Sequence, residues 1–160
     1  MTLQPTKQDF ASIRAGYHPN PAQSLSLRKE AYTEDTWFAA DRDAILAASW
    51  QWVCHVEKLR SPGAYITAEI AGRSIAIVRD KAGDLRAFYN ICKHRAHELL
   101  SGEGETTRIM CPYHAWVYNL EGQLVRAPHT ETLVDFNVKD ICLDQVRVEE
   151  FCGFVFVNLD

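Results

Sequence analysis

The chain has 160 residues with a formal net charge of −4, and 47% of the residues are apolar. This length fits one domain with its own hydrophobic core, and the composition is ordinary for a globular protein. No apolar run approaches the roughly 20 residues of a membrane-spanning helix, and no Lys/Arg cluster forms the basic stripe typical of nucleic-acid binding. We therefore expect a soluble protein that binds neither a membrane nor nucleic acid.

The N-terminal segment, residues 1–32, is polar. A His18-Pro19-Asn20-Pro21 break interrupts it, so we predict an extended arm rather than a core element. Its first residues lack the basic and apolar stretches of a secretory signal, which favours a cytoplasmic protein. The remainder, residues 33–160, is predicted to form the single domain.

One helix is predicted over about residues 34–48. Thr33 can cap it through its hydroxyl, and Glu34 and Asp35 suit the positive end of the helix dipole. The predicted apolar stripe of this helix consists of Trp37, Phe38, Ala44, Ile45 and Ala48.

From Trp50 onward, short β-rich runs alternate with turn residues, which predicts antiparallel β-structure. Strands are predicted near residues 52–55, 65–67, 74–78 and 85–89, with closing strands around 146–148 and 154–157. Hairpin turns are predicted at Ala71-Gly72-Arg73, Lys81-Ala82-Gly83-Asp84 and Asn119-Leu120-Glu121-Gly122. Cys54, Cys142 and Cys152 are predicted to be free buried thiols.

Two segments in the middle of the chain each offer one thiolate and one imidazole: Cys92-Lys93-His94-Arg95 and Cys111-Pro112-Tyr113-His114. Together they can hold a [2Fe–2S] cluster, with Cys92 and Cys111 on one iron and His94 and His114 on the other. Replacing two thiolates by neutral imidazoles makes the cluster less negative, so it accepts an electron more readily. The two segments therefore predict one-electron transfer.

A zinc ion is the alternative occupant, because two cysteines and two histidines also form a tetrahedral zinc set. Zinc sites usually pair cysteine with cysteine and histidine with histidine at short spacing, whereas each half here mixes the two types. The spacing favours the cluster, and a zinc-stabilised binding module without redox activity stays open as an alternative.

The two ligand segments, followed by Ala115-Trp116, Tyr118 and Gly122, resemble the N-terminal Rieske domain of Rieske non-haem iron oxygenase α-subunits. The likeness covers about residues 31–160. It implies a mainly β fold, a Rieske-type antiparallel β-sandwich with a cluster-binding subdomain, preceded by one N-terminal helix. The stretches 94–102 and 113–116 are most similar to oxygenases that act on quaternary ammonium compounds such as carnitine or betaines.

The resemblance also implies partners for the chain. In that family the cluster feeds a mononuclear non-haem iron in the catalytic domain of a neighbouring subunit of a trimer, and a flavin/iron–sulfur reductase supplies the electrons. The complete enzyme would be an oxidoreductase that uses O₂ to hydroxylate or demethylate a small substrate. A mononuclear iron of this kind needs two histidines and a carboxylate, and no unclaimed set in the sequence provides them.

This chain alone is therefore expected to transfer electrons without catalytic residues of its own, and we expect a catalytic domain to continue after Asp160. A freestanding Rieske-type ferredoxin is the alternative, although such proteins usually lack the N-terminal arm and helix.

Several positions depart from the patterns of Rieske proteins. Lys93 stands where many oxygenases have proline, and Ala96 and Ala115 stand where glycine is frequent, so the departures affect the loop geometry and leave the ligands in place. Trp116 stands where respiratory-chain Rieske proteins have a serine that donates to a cluster sulfur, which predicts a potential in the lower part of the mixed-ligand range. We also expect Trp116 to shield the cluster and His97 to have a structural role.

Overall fold

The computed structural model describes residues 7–130 and 132–160. The described residues before Ser49 form one unit, and Ser49–Asp160 form a second. The division predicted between residues 32 and 33 stays a prediction. None of the helices in the described part of the chain has the length and apolar character needed to cross a membrane.

The N-terminal unit is helical rather than extended. Its described residues form three short α-helices, two 3₁₀ turns and one π-helical turn, so the extended conformation predicted for the arm is wrong. The first six residues of the predicted arm lie outside the described part. The helices are α1 (Lys7–Ile13), α2 (Glu30–Thr33) and α3 (Asp35–Asp41), and the 3₁₀ turns are Arg14–Gly16 and Pro21–Gln23.

The helix predicted over residues 34–48 corresponds to α3 and a π-helical turn, Arg42–Leu46. Thr33 does not cap it, because Thr33 ends α2 and its hydroxyl donates to the Lys29 carbonyl at 3.1 Å. The predicted apolar stripe is also wrong: Trp37 is buried, whereas Phe38 is 62% exposed and Ile45 57% exposed. The wider π turn rotates the residues after Asp41 away from the positions that a regular α-helix would give them.

The second unit is mainly β. In its described residues, a seven-stranded sheet has the order β1-β10-β9-β4-β3-β2-β5, a three-stranded sheet has the order β6-β7-β8, and all pairs are antiparallel. The strands are β1 (Gln51–His55), β2 (Ala64–Ile70), β3 (Arg73–Arg79), β4 (Leu85–Tyr89), β5 (Glu103–Glu105), β6 (Ile109–Met110), β7 (Val117–Tyr118), β8 (Leu124–Arg126), β9 (Gln145–Phe151) and β10 (Phe154–Asn158). The predicted mainly β, antiparallel fold and its predicted strands are confirmed.

The central strands of the large sheet are buried on both faces. Along β3, Ile75 and Ile77 enter one apolar core, and Val78 enters the other. On β4, Ala87 and Phe88 divide in the same way, as alternation along a strand requires. The core that contains Val78 and Phe88 also contains Ile109, Tyr118 and Leu124 of the small sheet. The small sheet therefore packs on β3 and β4 as a separate subdomain.

The tight turns determine where several side chains lie. Cys152 begins the two-residue turn between β9 and β10 and has a φ of 51°. Its thiol is exposed, so the prediction that it is buried is wrong. Cys54 is buried as predicted, and Cys142 is partly buried. The predicted turn at Asn119–Gly122 connects β7 to β8, and Gly122 there has a φ of +86°.

Gly122→Ala is expected to lower the free energy of unfolding by about 2–4 kcal/mol. A Cβ at this position would lie 2.5 Å from Phe88 Cε1, and the left-handed φ adds backbone strain. Urea unfolding measures the loss. Gly83→Ala is the matched control, because its φ is +92° but no atom lies within 4 Å of the new Cβ. Equal losses in the two variants would contradict the packing argument.

Candidate metal centre

Two loops with the same backbone architecture carry the predicted ligands. The first loop, residues 92–97, follows β4, and the second loop, residues 111–116, connects β6 to β7. In the first loop the Cys92 N–H donates to the His97 carbonyl at 2.8 Å, and the Ala96 N–H donates to the Cys92 carbonyl at 3.0 Å. The second loop repeats this pattern at the same distances: Cys111 donates to Trp116, and Ala115 donates to Cys111.

The repeated closure places an alanine in the left-handed region of each loop. Ala96 has a φ of 53° and Ala115 a φ of 54°. A residue with a Cβ is strained in this conformation, and glycine is not, which explains why glycine suits both positions. Alanine at these two positions therefore strains each loop more than glycine would. The backbone follows the same path in the first loop and in the second.

The four predicted ligand side chains come together at the tips of these loops. Cys92 and Cys111 are each 2% exposed and lie in the core beneath the small sheet. His94 is exposed and His114 partly buried, and their ring centroids are 4.7 Å apart. The thiols therefore lie on the inner side of the site, and the imidazoles lie at its surface.

One unsatisfied nitrogen of the site fits a metal ligand. His114 Nδ1 is buried and has no hydrogen-bond partner among the described residues, which is costly for a polar atom unless a metal ion is its partner. Burial, together with the nearby His94 and Arg95, lowers the pKa of His114 and favours the neutral imidazole that binds metals.

Among the described residues, no group of three His, Cys, Asp or Glu side chains is placed to hold a single metal ion. A [2Fe–2S] cluster does not require such a group, since it takes two protein ligands on each iron.

Tyr118 on β7 places its hydroxyl next to one of the sulfurs. Its hydroxyl oxygen lies 3.4 Å from Cys92 Sγ and accepts a hydrogen bond from the Lys93 N–H at 3.1 Å. Once the Cys92 thiol is ionised, its sulfur has no proton to donate. The Tyr118 hydroxyl, whose oxygen accepts from the Lys93 N–H, then donates its own proton to that sulfur. Burial raises the pKa of Tyr118, so the hydroxyl keeps this proton.

Asn90 joins the chain segment before the first loop to the segment after it. This side chain is fully buried, and its Nδ2 donates to the Leu100 carbonyl at 2.7 Å and to Glu98 Oε1 at 3.1 Å. Its Oδ1 accepts from the Leu100 N–H at 3.0 Å, and Ser74 on β3 completes the cluster of polar groups. The chain segments on either side of the first loop are thereby attached to each other and to the large sheet.

Aromatic rings cover both imidazoles. Trp116 of the second loop stacks on His94 of the first, with centroids 4.8 Å apart and planes 8° apart. Tyr113 lies against His114 at 3.8 Å, and His97 of the first loop contacts Tyr113 at 5.6 Å. Trp116 therefore contacts one of the predicted ligands, and His97 contacts the ring that lies against the other; the shielding and structural roles expected of them stay predictions.

No sequence pattern indicated a role for Asn90 or for Tyr118. Both residues occur in stretches that resemble Rieske domains, but their contacts depend on the tertiary fold, which brings Leu100 and Cys92 to them. Phe136, which packs edge-on against Trp116 at 5.8 Å, was also missed, since the segment around it carries no periodic pattern.

Comparison with known proteins agrees with this geometry. The family model described as the Rieske [2Fe-2S] domain matches residues 49–141. The chain is 42% identical over 142 residues to the carnitine monooxygenase oxygenase subunit of Escherichia coli strain K12, a match that covers 88% of this chain and 38% of the relative. It is 30% identical to the chloroplastic choline monooxygenase of Beta vulgaris over 164 residues, which covers 99% of this chain and 37% of the relative.

Solved structures give the same result. The crystal structure of the quaternary ammonium Rieske monooxygenase CntA in complex with L-carnitine superposes with a TM-score of 0.79 at 44% identity, covering 82% of this chain and 38% of that chain. The chain thus spans less than two fifths of these relatives. Its twin loops, buried thiols and paired imidazoles, together with the family match over more than half of its length, show that the chain belongs to the Rieske [2Fe-2S] domain family.

Proposed function

We propose that this chain transfers single electrons through a [2Fe–2S] cluster bound by Cys92, His94, Cys111 and His114. The cysteines would bind one iron and the histidines the other. When bound, such a cluster supplies reversible one-electron transfer at roughly −150 to +300 mV. The observation that carries the proposal is the meeting of two buried thiols with two paired imidazoles, one of which has a buried nitrogen without a hydrogen-bond partner.

The surrounding residues give each part of the site a distinct task. Cys92 and Cys111 lie inside the core, where water has little access. His94 and His114 lie at the surface, so electrons enter and leave on the imidazole side. Trp116 and Tyr113 hold the two rings in place and limit the water around them.

We further propose that the chain serves as the electron-transfer part of an oxygenase. The carnitine and choline monooxygenases that it resembles are more than twice its length, which leaves room for a catalytic domain. The substrate class supported by these relatives is a quaternary ammonium compound that is hydroxylated or demethylated with O₂. The proposed partners are a catalytic domain with a mononuclear non-haem iron, arranged in a homotrimer, and a flavin/iron–sulfur reductase in the cytoplasm.

Electron paramagnetic resonance of the dithionite-reduced chain tests the cluster assignment. We expect a low-temperature signal with the low average g value of a cluster ligated by both histidine and cysteine. His114→Ala should abolish this signal, whereas the same change at His18, which belongs to neither ligand segment, should preserve it. A colourless, silent protein that contains zinc would contradict the electron-transfer function.

Tyr118→Phe is expected to lower the midpoint potential of the bound cluster by roughly 20–60 mV. The variant removes one hydrogen bond to a sulfur that becomes more negative on reduction. Such a bond contributes about 0.5–1.5 kcal/mol, which at 59 mV per tenfold change for one electron corresponds to roughly 20–60 mV. A mediated redox titration measures the shift. Tyr113→Phe is the control, because it removes a hydroxyl from the ring that lies against His114. This variant should leave the midpoint potential unchanged. A shift in Tyr113→Phe equal to that in Tyr118→Phe would refute the role of Tyr118.

Asn90→Asp is expected to accelerate loss of the cluster to a chelator at least tenfold. The substitution replaces two N–H donors by a carboxylate oxygen that faces the Leu100 carbonyl and Glu98, so the first loop is no longer tied at its base. Bleaching of the visible absorption measures the loss. Asn119→Asp is the matched control, because Asn119 Oδ1 accepts from the Gln123 N–H and an aspartate retains that contact. A cluster that is equally stable in both variants would contradict the role of Asn90.

A further inference from the structure

The two loops of the site differ at the residue that follows each cysteine. Their backbone closures coincide residue for residue, so Lys93 of the first loop corresponds to Pro112 of the second. Proline has no N–H to donate, whereas Lys93 keeps this group. The first loop therefore has one backbone donor that the second loop lacks.

This donor contacts Tyr118. The Lys93 N–H donates to the Tyr118 hydroxyl oxygen at 3.1 Å, and the same oxygen lies 3.4 Å from Cys92 Sγ. Tyr118 is fully buried and Cys92 is 2% exposed, so water does not compete for these groups. An N–H, a hydroxyl and a sulfur thus form one short chain of hydrogen-bonding groups.

The order of the groups in this chain gives the Tyr118 proton a direction. A phenol oxygen that accepts from an N–H keeps its own hydrogen for another acceptor, which here is the ionised sulfur of Cys92. A hydroxyl that accepts one hydrogen bond is polarised and donates more strongly, an effect of roughly 10–30% per bond. The Lys93 N–H therefore strengthens the hydrogen bond that reaches the sulfur.

The side chain of Lys93 has a different partner. Its Nζ lies 2.5 Å from Asp144 Oδ1, and the side chains are 32% and 65% exposed. An ion pair of this kind contributes little to stability, and salt screens it. The influence of the Lys93 charge on the site is therefore suppressed at high salt, whereas that of its N–H is not.

We propose that Lys93 is a positioning residue for electron transfer: its backbone N–H orients and polarises the Tyr118 hydroxyl, which stabilises the reduced cluster through Cys92. An added electron makes the sulfur more negative, so a stronger hydrogen bond to it favours the reduced form. The effect belongs to the backbone at residue 93, and proline is the standard residue that removes it. This inference rests on the proposed electron-transfer function.

Lys93→Pro tests the proposal in a mediated redox titration of the full chain at high salt. Because the second loop closes in the same way with Pro112, we expect the first loop of this variant to close and to bind the cluster. At a fixed potential near the wild-type midpoint, the ratio of reduced to oxidised cluster should fall roughly two- to threefold. Lys93→Gln is the matched control, since it loses the same charge and keeps the N–H, and its ratio should equal that of the wild type.

The Tyr118→Phe background separates the hydrogen-bond chain from a general distortion of the loop. Without a hydroxyl to polarise, Lys93→Pro should leave the ratio of the Tyr118→Phe protein unchanged, whereas a distortion would lower the ratio in both backgrounds. An ester in place of the peptide bond between Cys92 and Lys93 removes the N–H and keeps the side chain. This ester protein should show the same two- to threefold fall, and it decides the question if Lys93→Pro does not bind the cluster.

Equal ratios in Lys93→Pro and Lys93→Gln, or a wild-type ratio in the ester protein, would overturn the role of the Lys93 N–H. An equal fall with and without the Tyr118 hydroxyl would overturn it as well. A wild-type protein without a mixed-ligand cluster signal would instead overturn the proposed function itself.

Discussion

The structure depends on a constraint of burial: two thiols must leave water while two imidazoles, close to them in sequence, stay at the surface. Each loop solves this with the same pair of backbone hydrogen bonds around its cysteine. The closure directs Cys92 and Cys111 into the core and brings His94 and His114 together at the rim. The two sheets serve this arrangement, because β4 and the β6–β7 hairpin hold the two loops side by side.

The polar residues that support the loops differ in kind from the ligands. Asn90 is buried without charge, and its contacts with the Leu100 backbone satisfy the polar atoms of its own buried amide. Tyr118 combines a hydrophobic ring with one hydroxyl, so it fills the core of the small sheet and still reaches Cys92. Both residues link the fold to the metal centre, since the groups they bind belong to the first loop or to the chain just beyond it.

Much of the second unit could be predicted from the sequence because its signals are local. Short β-rich runs predicted β3 and β10, and turn residues such as Gly122 predicted the hairpins. The four ligand residues were predicted to meet because each pair lies in one short segment. The part of the helix stripe beyond Asp41 could not be predicted, since a π-helical turn there changed the periodicity on which the prediction depended. The contacts of Asn90 join residues eight or more positions apart, and no local pattern indicates them.

The left-handed alanines have a consequence for the speed of electron transfer. Alanine samples far fewer backbone conformations than glycine, so Ala96 and Ala115 restrict the two loops at equivalent points. A loop that is already confined to one conformation has little structural rearrangement to undergo when the charge of its bound group changes. The backbone strain at these two residues therefore accompanies a small reorganisation energy, a property that favours rapid electron exchange in both directions.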